Sequence, residues 1–214
     1  MSKTNAQKTV MRDAPLVRGV SRPNVGAARQ QLAIAVMDVS GSMDGAKRDE
    51  AAAALTTLTT ALADPKNRGA FSVAVVAYGG TAATCLPAKK AADVRPEELV
   101  LDAGKAGVSP LSTNIAAGLA EALKIADQGP SGPEWLRPIV VLMTDGLHCV
   151  NGADPEAAAS ELKGRADLVC VAFGADADFA LLERLANSPD HAVRCTDGAA
   201  LRKFFAAVGT TMSA

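Results

Sequence analysis

Leu32-Ala-Ile-Ala-Val-Met-Asp38-Val-Ser40-Gly-Ser42 is the stretch that decides how this chain folds. An unbroken apolar run enters Asp38, which predicts a strand buried on both faces, as the strands of a parallel sheet are. Beyond Asp38 the chain must turn, and side-chain oxygens recur at every second position: Asp38, Ser40, Ser42. Gly41 lets the backbone bend sharply enough for the two serines to converge. Carboxylate and hydroxyl oxygens are hard ligands that suit Mg²⁺, Mn²⁺ or Ca²⁺, whereas zinc prefers Cys and His. The strand is therefore expected to open at its carboxyl end into a cation site.

Outward from this stretch the pattern repeats. Residues 71–78 form a second apolar run ending in Gly79-Gly80, which predicts a hairpin into a shorter edge strand at 84–88. A third run, 139–143, closes on Thr144-Asp145-Gly146. Between the runs, helical spacing predicts a helix over 44–62, stopped by Asp64-Pro65, and another from Thr113 through Ile115, Leu119, Leu123 and Ala126. A helix start is expected within 95–101, a Gly/Pro/Ser loop over 104–112, and a break at 129–133. A helix at 155–164, a strand at 168–173, a helix at 177–186, a short strand near Val193 and a helix from Asp197 to about Val208 complete the chain. This alternation predicts an α/β fold: a doubly wound, mostly parallel six-stranded sheet with one short antiparallel edge strand and helices on both faces. Ligands of such sheets sit beyond the carboxyl ends of the strands, where the strand order reverses. Asp38 and Asp145 each terminate an apolar strand and belong to that region.

The bulk properties narrow the class. At 214 residues the chain suits one domain, taken as 29–214, preceded by an aperiodic arm over 1–28. With 22 Lys+Arg against 23 Asp+Glu and a net charge of -1, neither nucleic acid nor an anionic membrane is expected as a partner. No apolar run approaches the ~20 residues of a spanning helix. The arm carries Lys3, Lys8, Arg12, Arg18 and Arg22 without the apolar core of a signal peptide, so a soluble, cytoplasmic protein is expected. Cys85, Cys149, Cys170 and Cys195 form no C-x-x-C pair and read as buried or half-buried free thiols.

Three segments taken together, Asp38-x-Ser40-x-Ser42, Ser112-Thr113-Asn114-Ile115 and Met143-Thr144-Asp145-Gly146, resemble the metal-ion-dependent adhesion site of the von Willebrand factor type A (VWA) domain. The resemblance extends over residues 30–210 and implies a Rossmann-like fold. It implies that Ser40 and Ser42 contact the metal directly, Thr113 directly or through water, and Asp38 and Asp145 through water and hydrogen bonds. It also implies Mg²⁺ as the ion, open to an Asp or Glu carboxylate from a partner protein. Many family members approach the threonine through glycines; here Ser109-Pro110-Leu111-Ser112 precedes it, and Pro110 stiffens the loop. The single-domain length, Gly174-Ala-Asp176-Ala-Asp178 before a Leu-rich helix, and the ending Leu201-Arg-Lys-Phe204-Phe205 resemble the cytoplasmic, bacterial TerY-like branch associated with tellurium resistance. That branch implies a kinase-like protein and a PP2C-type phosphatase as partners in a stress-response or defence system.

A protein-binding module rather than an enzyme is expected, because no G-x-S-x-G elbow, Walker A loop or G-x-G-x-x-G is present and neither histidine has a nucleophile to serve. Two rival readings use the same residues. One is a Mg²⁺-dependent phosphotransferase or phosphatase built on Asp38, although Ser40 stands where haloacid-dehalogenase-like phosphatases place a second Asp. The other is a scaffold whose ion only steadies the loops. Plain structural roles are expected elsewhere: Asp44 as an N-cap, Asp176 and Asp178 capping the helix at Phe179, and His148 and Cys149 as incidental neighbours. Trp135 is read as a partly buried loop aromatic rather than an exposed anchor, and Phe204 and Phe205 as seals of the last helix.

Overall fold

The computed structural model describes residues 29–99 and 101–212; the arm expected over 1–28 lies outside them. In chain order the elements are β1 (Gln31–Asp38), α1 (Ala46–Leu62), β2 (Phe71–Tyr78), β3 (Ala82–Lys90), α2 (Ala103–Ala106), α3 (Ile115–Gln128), β4 (Ile139–Thr144), α4 (Pro155–Lys163), β5 (Asp167–Phe173), α5 (Phe179–Leu185), β6 (Ala192–Cys195) and α6 (Gly198–Met212). The six strands line up as β3-β2-β1-β4-β5-β6. All neighbours are parallel except β3, which runs antiparallel to β2. From β1 the chain proceeds outward one way through β2 and β3, then returns to the centre at β4 and proceeds the other way. The strand order thus reverses between β1 and β4, and the crevice there lies directly beyond Asp38 and Asp145.

The burial of β1 on both faces follows from its alternation. Ala33, Ala35 and Met37 enter a core shared with Leu55, Leu58 and Leu62 of α1 and Leu201, Phe205 and Val208 of α6. Leu32, Ile34 and Val36 enter the opposite core with Ile115 and Leu119 of α3, Leu162 of α4 and Leu182 of α5. A central strand sandwiched in this way has no freedom to slip register, because a one-residue shift would exchange the two cores. Its carboxyl end is therefore a fixed platform.

Several boundaries differ from the sequence reading. Residues 41–43 form a 3₁₀ turn, and α1 begins at Ala46 with Gly45 (φ 76°) as its N-cap. Asp44 is consequently not the N-cap; it pairs with Arg48 instead. The helix expected within 95–101 is a single 3₁₀ turn at Pro96–Glu98, and the loop expected over 104–112 opens with α2, capped by Asp102. The helix expected from Thr113 starts at Ile115 with Asn114 as its cap, which leaves Thr113 in the preceding loop. The edge strand spans Ala82–Lys90, longer than expected, with Pro87 tolerated because an edge has a free side.

Other expectations hold. Asp178 caps α5 by accepting the Leu181 N–H at 2.9 Å. Trp135 packs partly buried against the second core, with Lys90 Nζ 5.7 Å from its ring centre. Phe204 and Phe205 meet edge to face in the first core. The cysteines are free, and burial pushes the Cys170 thiol up to about 12 and Cys195 to about 11. Cys149 departs from the expectation, being exposed. No helix among the described residues is long and apolar enough to cross a membrane.

Candidate metal centre

Asp38 ends β1 with its side chain fully buried. One carboxylate oxygen accepts the Ser40 backbone N–H at 2.8 Å, and the other accepts the Thr144 hydroxyl at 2.6 Å. The first bond bends the chain back after the strand, and the second ties β1 to β4 across the crevice. Burial raises the Asp38 carboxyl above its ordinary range; the Ser40 and Thr144 bonds oppose this, and the nearby Asp145 charge adds to it. Negative charge so buried favours a cation beside it.

Asp145 follows β4 and is also buried. Its Oδ1 accepts the Ser42 hydroxyl at 2.7 Å, while Ser42 and Ser40 hydroxyls lie 3.2 Å apart. Its Oδ2 accepts from Lys47 Nζ at 2.5 Å. Thr113 joins this group: a Cβ placed at Gly146 would stand 3.7 Å from Thr113 Oγ1 and 3.8 Å from Ser42 Oγ. All five residues expected at the site, Asp38, Ser40, Ser42, Thr113 and Asp145, converge at the carboxyl edge of β1 and β4.

The loop carrying Thr113 is held from three sides. Gly80 N–H donates to Ser109 O at 2.7 Å and Asn114 N–H to Gly79 O at 2.7 Å, fixing it to the β2–β3 turn. Gly41 N–H donates to Pro110 O at 2.9 Å, fixing it to the serine loop. The third anchor comes from the segment after β4, where Cys149 N–H donates to Thr113 O at 3.0 Å and Thr113 N–H to Cys149 Sγ at 3.1 Å. His148 Nδ1 accepts the Ile115 N–H at 3.2 Å, so its Nε2 carries the proton and donates to Val150 O and Ala153 O. The approach to Gly79 is closer than any side chain permits, since a Cβ there would meet Ser109 O at 2.4 Å.

Sequence reasoning missed the supporting role of six of these residues. Gly79-Gly80 was assigned to a hairpin, yet it also cradles the threonine loop. His148 and Cys149, expected to be incidental, position Thr113 and the start of α3. Thr144 stood in the Met143–Gly146 segment without a role of its own, and Lys47 carried no signal that could be read without knowing that the first turn of α1 faces the end of β4.

The donor set fits a hard divalent cation. It offers hydroxyls from Ser40, Ser42 and Thr113 with carboxylates behind them, and among the described residues no cluster of three or more His, Cys, Asp and Glu competes as a softer site.

A family model for the von Willebrand factor type A domain matches residues 34–207. The chain is a VWA domain. A VWA protein from Catenulispora acidiphila matches at 25% identity and TM-score 0.66, covering 86% of this chain and 42% of that one. Proximal thread matrix protein 1 from the mussel byssus, solved with zinc in its metal-ion-dependent adhesion site, matches at 18% identity and TM-score 0.63, covering 86% and 48%. The domain of the pilus tip protein Mfa5 from Porphyromonas gingivalis matches at 15% identity and TM-score 0.66, covering 87% and 96%. The VWA chain thus spans less than half the length of the first two of these structures. No curated protein sequence matches it significantly. VWA domains often bind a divalent metal at this adhesion site and mediate protein–protein contact.

Proposed function

We propose that this VWA domain is a non-enzymatic, metal-dependent protein-binding module whose divalent ion, Mg²⁺ in the first instance, captures an Asp or Glu carboxylate of a partner protein. The observation that carries the reading is the convergence of three hydroxyls in front of two buried, hydrogen-bonded carboxylates. When bound, the ion supplies an electrophilic position for a carboxylate oxygen. Ser40, Ser42 and Thr113 hold it through neutral oxygens, and Asp38 and Asp145 orient those oxygens and balance charge from behind. The mussel protein's zinc-bearing adhesion site supports a divalent ion here, while the all-oxygen donor set favours Mg²⁺ or Mn²⁺.

Phosphotransfer through Asp38 is disfavoured by the same geometry. Both carboxylate oxygens are engaged, by Ser40 N–H and Thr144 Oγ1, and the side chain is fully buried, so neither oxygen faces an incoming phosphoryl group.

We place the protein in the cytoplasm, in a TerY-like stress-response or defence system with a kinase-like protein and a PP2C-type phosphatase as partners. The resemblance carried by Gly174–Asp178 and Leu201–Phe205 supports that placement. The test is binding of the purified products of neighbouring genes, measured with Mg²⁺, with chelator, and with Ser40→Ala. Capture that needs both the ion and Ser40 is expected; capture indifferent to both overturns the reading.

A further inference from the structure

Among the described residues the exposed large hydrophobic side chains are Leu111, 92% exposed, and Leu147, 58% exposed. A leucine scattered singly on a surface needs no explanation. These two share one place. Leu111 lies between Pro110, whose carbonyl accepts the Gly41 N–H, and the Ser112-Thr113 pair. Leu147 follows Gly146, where an added Cβ would stand within 4 Å of both Thr113 Oγ1 and Ser42 Oγ. Because consecutive Cα atoms are about 3.8 Å apart, Leu111 Cα lies within about 8 Å of Thr113 Cα, and Leu147 Cα within about 4 Å of Gly146 Cα. The leucines therefore stand on two loops that meet at the metal centre.

Neither loop is free to fold its leucine away. The first is fixed by Gly80, Gly41 and Asn114 N–H groups, the second by Cys149 and His148. An apolar surface held out in this way is pre-organised for contact. Lys47, whose side chain is 38% exposed, adds positive charge to the centre they border.

We propose that Leu111 and Leu147 form the apolar rim of the docking face, and that the partner presents its acidic side chain between apolar residues on a protruding segment. The inference rests on the carboxylate-capture reading and adds the chemistry of the residues flanking the acid. Charge complementarity selects the acid for the centre. Apolar flanks on the partner would cover the leucines and exclude water from the ion–carboxylate contact, which strengthens it.

The experiment follows leucine methyl resonances of the Mg²⁺-loaded protein during titration with three blocked synthetic peptides, centred on Leu-Asp-Leu, Ser-Asp-Ser and Leu-Asn-Leu. The Leu-Asp-Leu peptide is expected to bind about tenfold more tightly than Ser-Asp-Ser, the size expected from partial burial of two leucines, and Leu-Asn-Leu not measurably. The double variant Leu111→Ser, Leu147→Ser should bring Leu-Asp-Leu down to the Ser-Asp-Ser level with Mg²⁺ affinity unchanged; both side chains are exposed, so the fold does not depend on them. Equal affinity for the two acidic peptides, or a preference surviving in the double variant, overturns the rim while leaving ion-dependent capture standing. Binding of all peptides unaffected by chelator and by Ser40→Ala overturns the capture reading itself. Concentration-dependent dimerisation in sedimentation, lost in the double variant, would assign the rim to a second copy of this chain and also overturn the proposal.

Discussion

Gly79→Ala tests whether the threonine loop is positioned by close packing. The added Cβ would stand 2.4 Å from Ser109 O, 3.3 Å from Ser109 C and 3.4 Å from Ser112 O, so backbone rather than a flexible side chain must yield. Restoring ordinary contact requires the Ser109–Ser112 segment to retreat by about 1 Å, at an overpacking cost of about 1–3 kcal/mol. The retreat stretches the Gly80–Ser109 and Asn114–Gly79 hydrogen bonds, both 2.7 Å, and carries Thr113 with it. A displacement of that size removes one hydroxyl from the centre and should weaken Mg²⁺ binding about 10- to 100-fold, the range for losing a ligand's support. Calorimetric titration of MgCl₂ gives the affinity, and thermal unfolding in chelator gives the packing cost. In a Thr113→Ala background the glycine substitution should lower stability as before but change Mg²⁺ affinity little further, because the effect passes through Thr113. Wild-type Mg²⁺ affinity in Gly79→Ala, despite the lost stability, would refute the argument.

Lys47→Met removes the cation paired with buried Asp145, so the melting temperature in chelator should fall, while Mg²⁺ should bind about threefold to tenfold more tightly without a competing positive charge; unchanged or weaker affinity counts against it. Asp38→Asn should behave oppositely in chelator. Burial holds the Asp38 carboxyl above its ordinary 3.8, so its contribution is fully present below that value and is lost as pH rises through the folded-state value. At neutral pH the amide should therefore be more stable than wild type without metal, the gap closing on acidification, and Mg²⁺ should no longer raise the melting temperature; a destabilised amide at pH 7 contradicts the assignment. His148→Ala frees the Ile115 N–H and an anchor of the second loop, which should weaken Mg²⁺ binding several-fold and lower stability by about 1 kcal/mol, read by the same titration and melt.

The strands were legible because β1, β2 and β4 are buried on both faces and so appear as unbroken apolar runs. Helix starts were less legible. Asp44 looks like a cap from sequence, but the serine loop continues as a 3₁₀ turn through Met43 and hands the start to Gly45. At the centre, Asp38, Ser40 and Ser42 were legible from their alternation after a strand and Asp145 from its place at a strand end, whereas Thr113 was legible only through the family resemblance. Their supports were not legible, since Lys47, Thr144, His148 and Cys149 act through contacts 33 to 106 residues distant in sequence. Gly79 was visible as a turn glycine, but its closeness to Ser109 exists only once the chain is folded.

Every role proposed for the centre requires one divalent ion held by the serine hydroxyls in front of Asp38 and Asp145. Calorimetric titration of MgCl₂ into chelator-treated protein tests this directly, comparing wild type with the double variant Ser40→Ala, Ser42→Ala after circular dichroism shows both folded. One ion per chain is expected for wild type and none for the variant. An unchanged single-site isotherm in the variant would contradict the assignment.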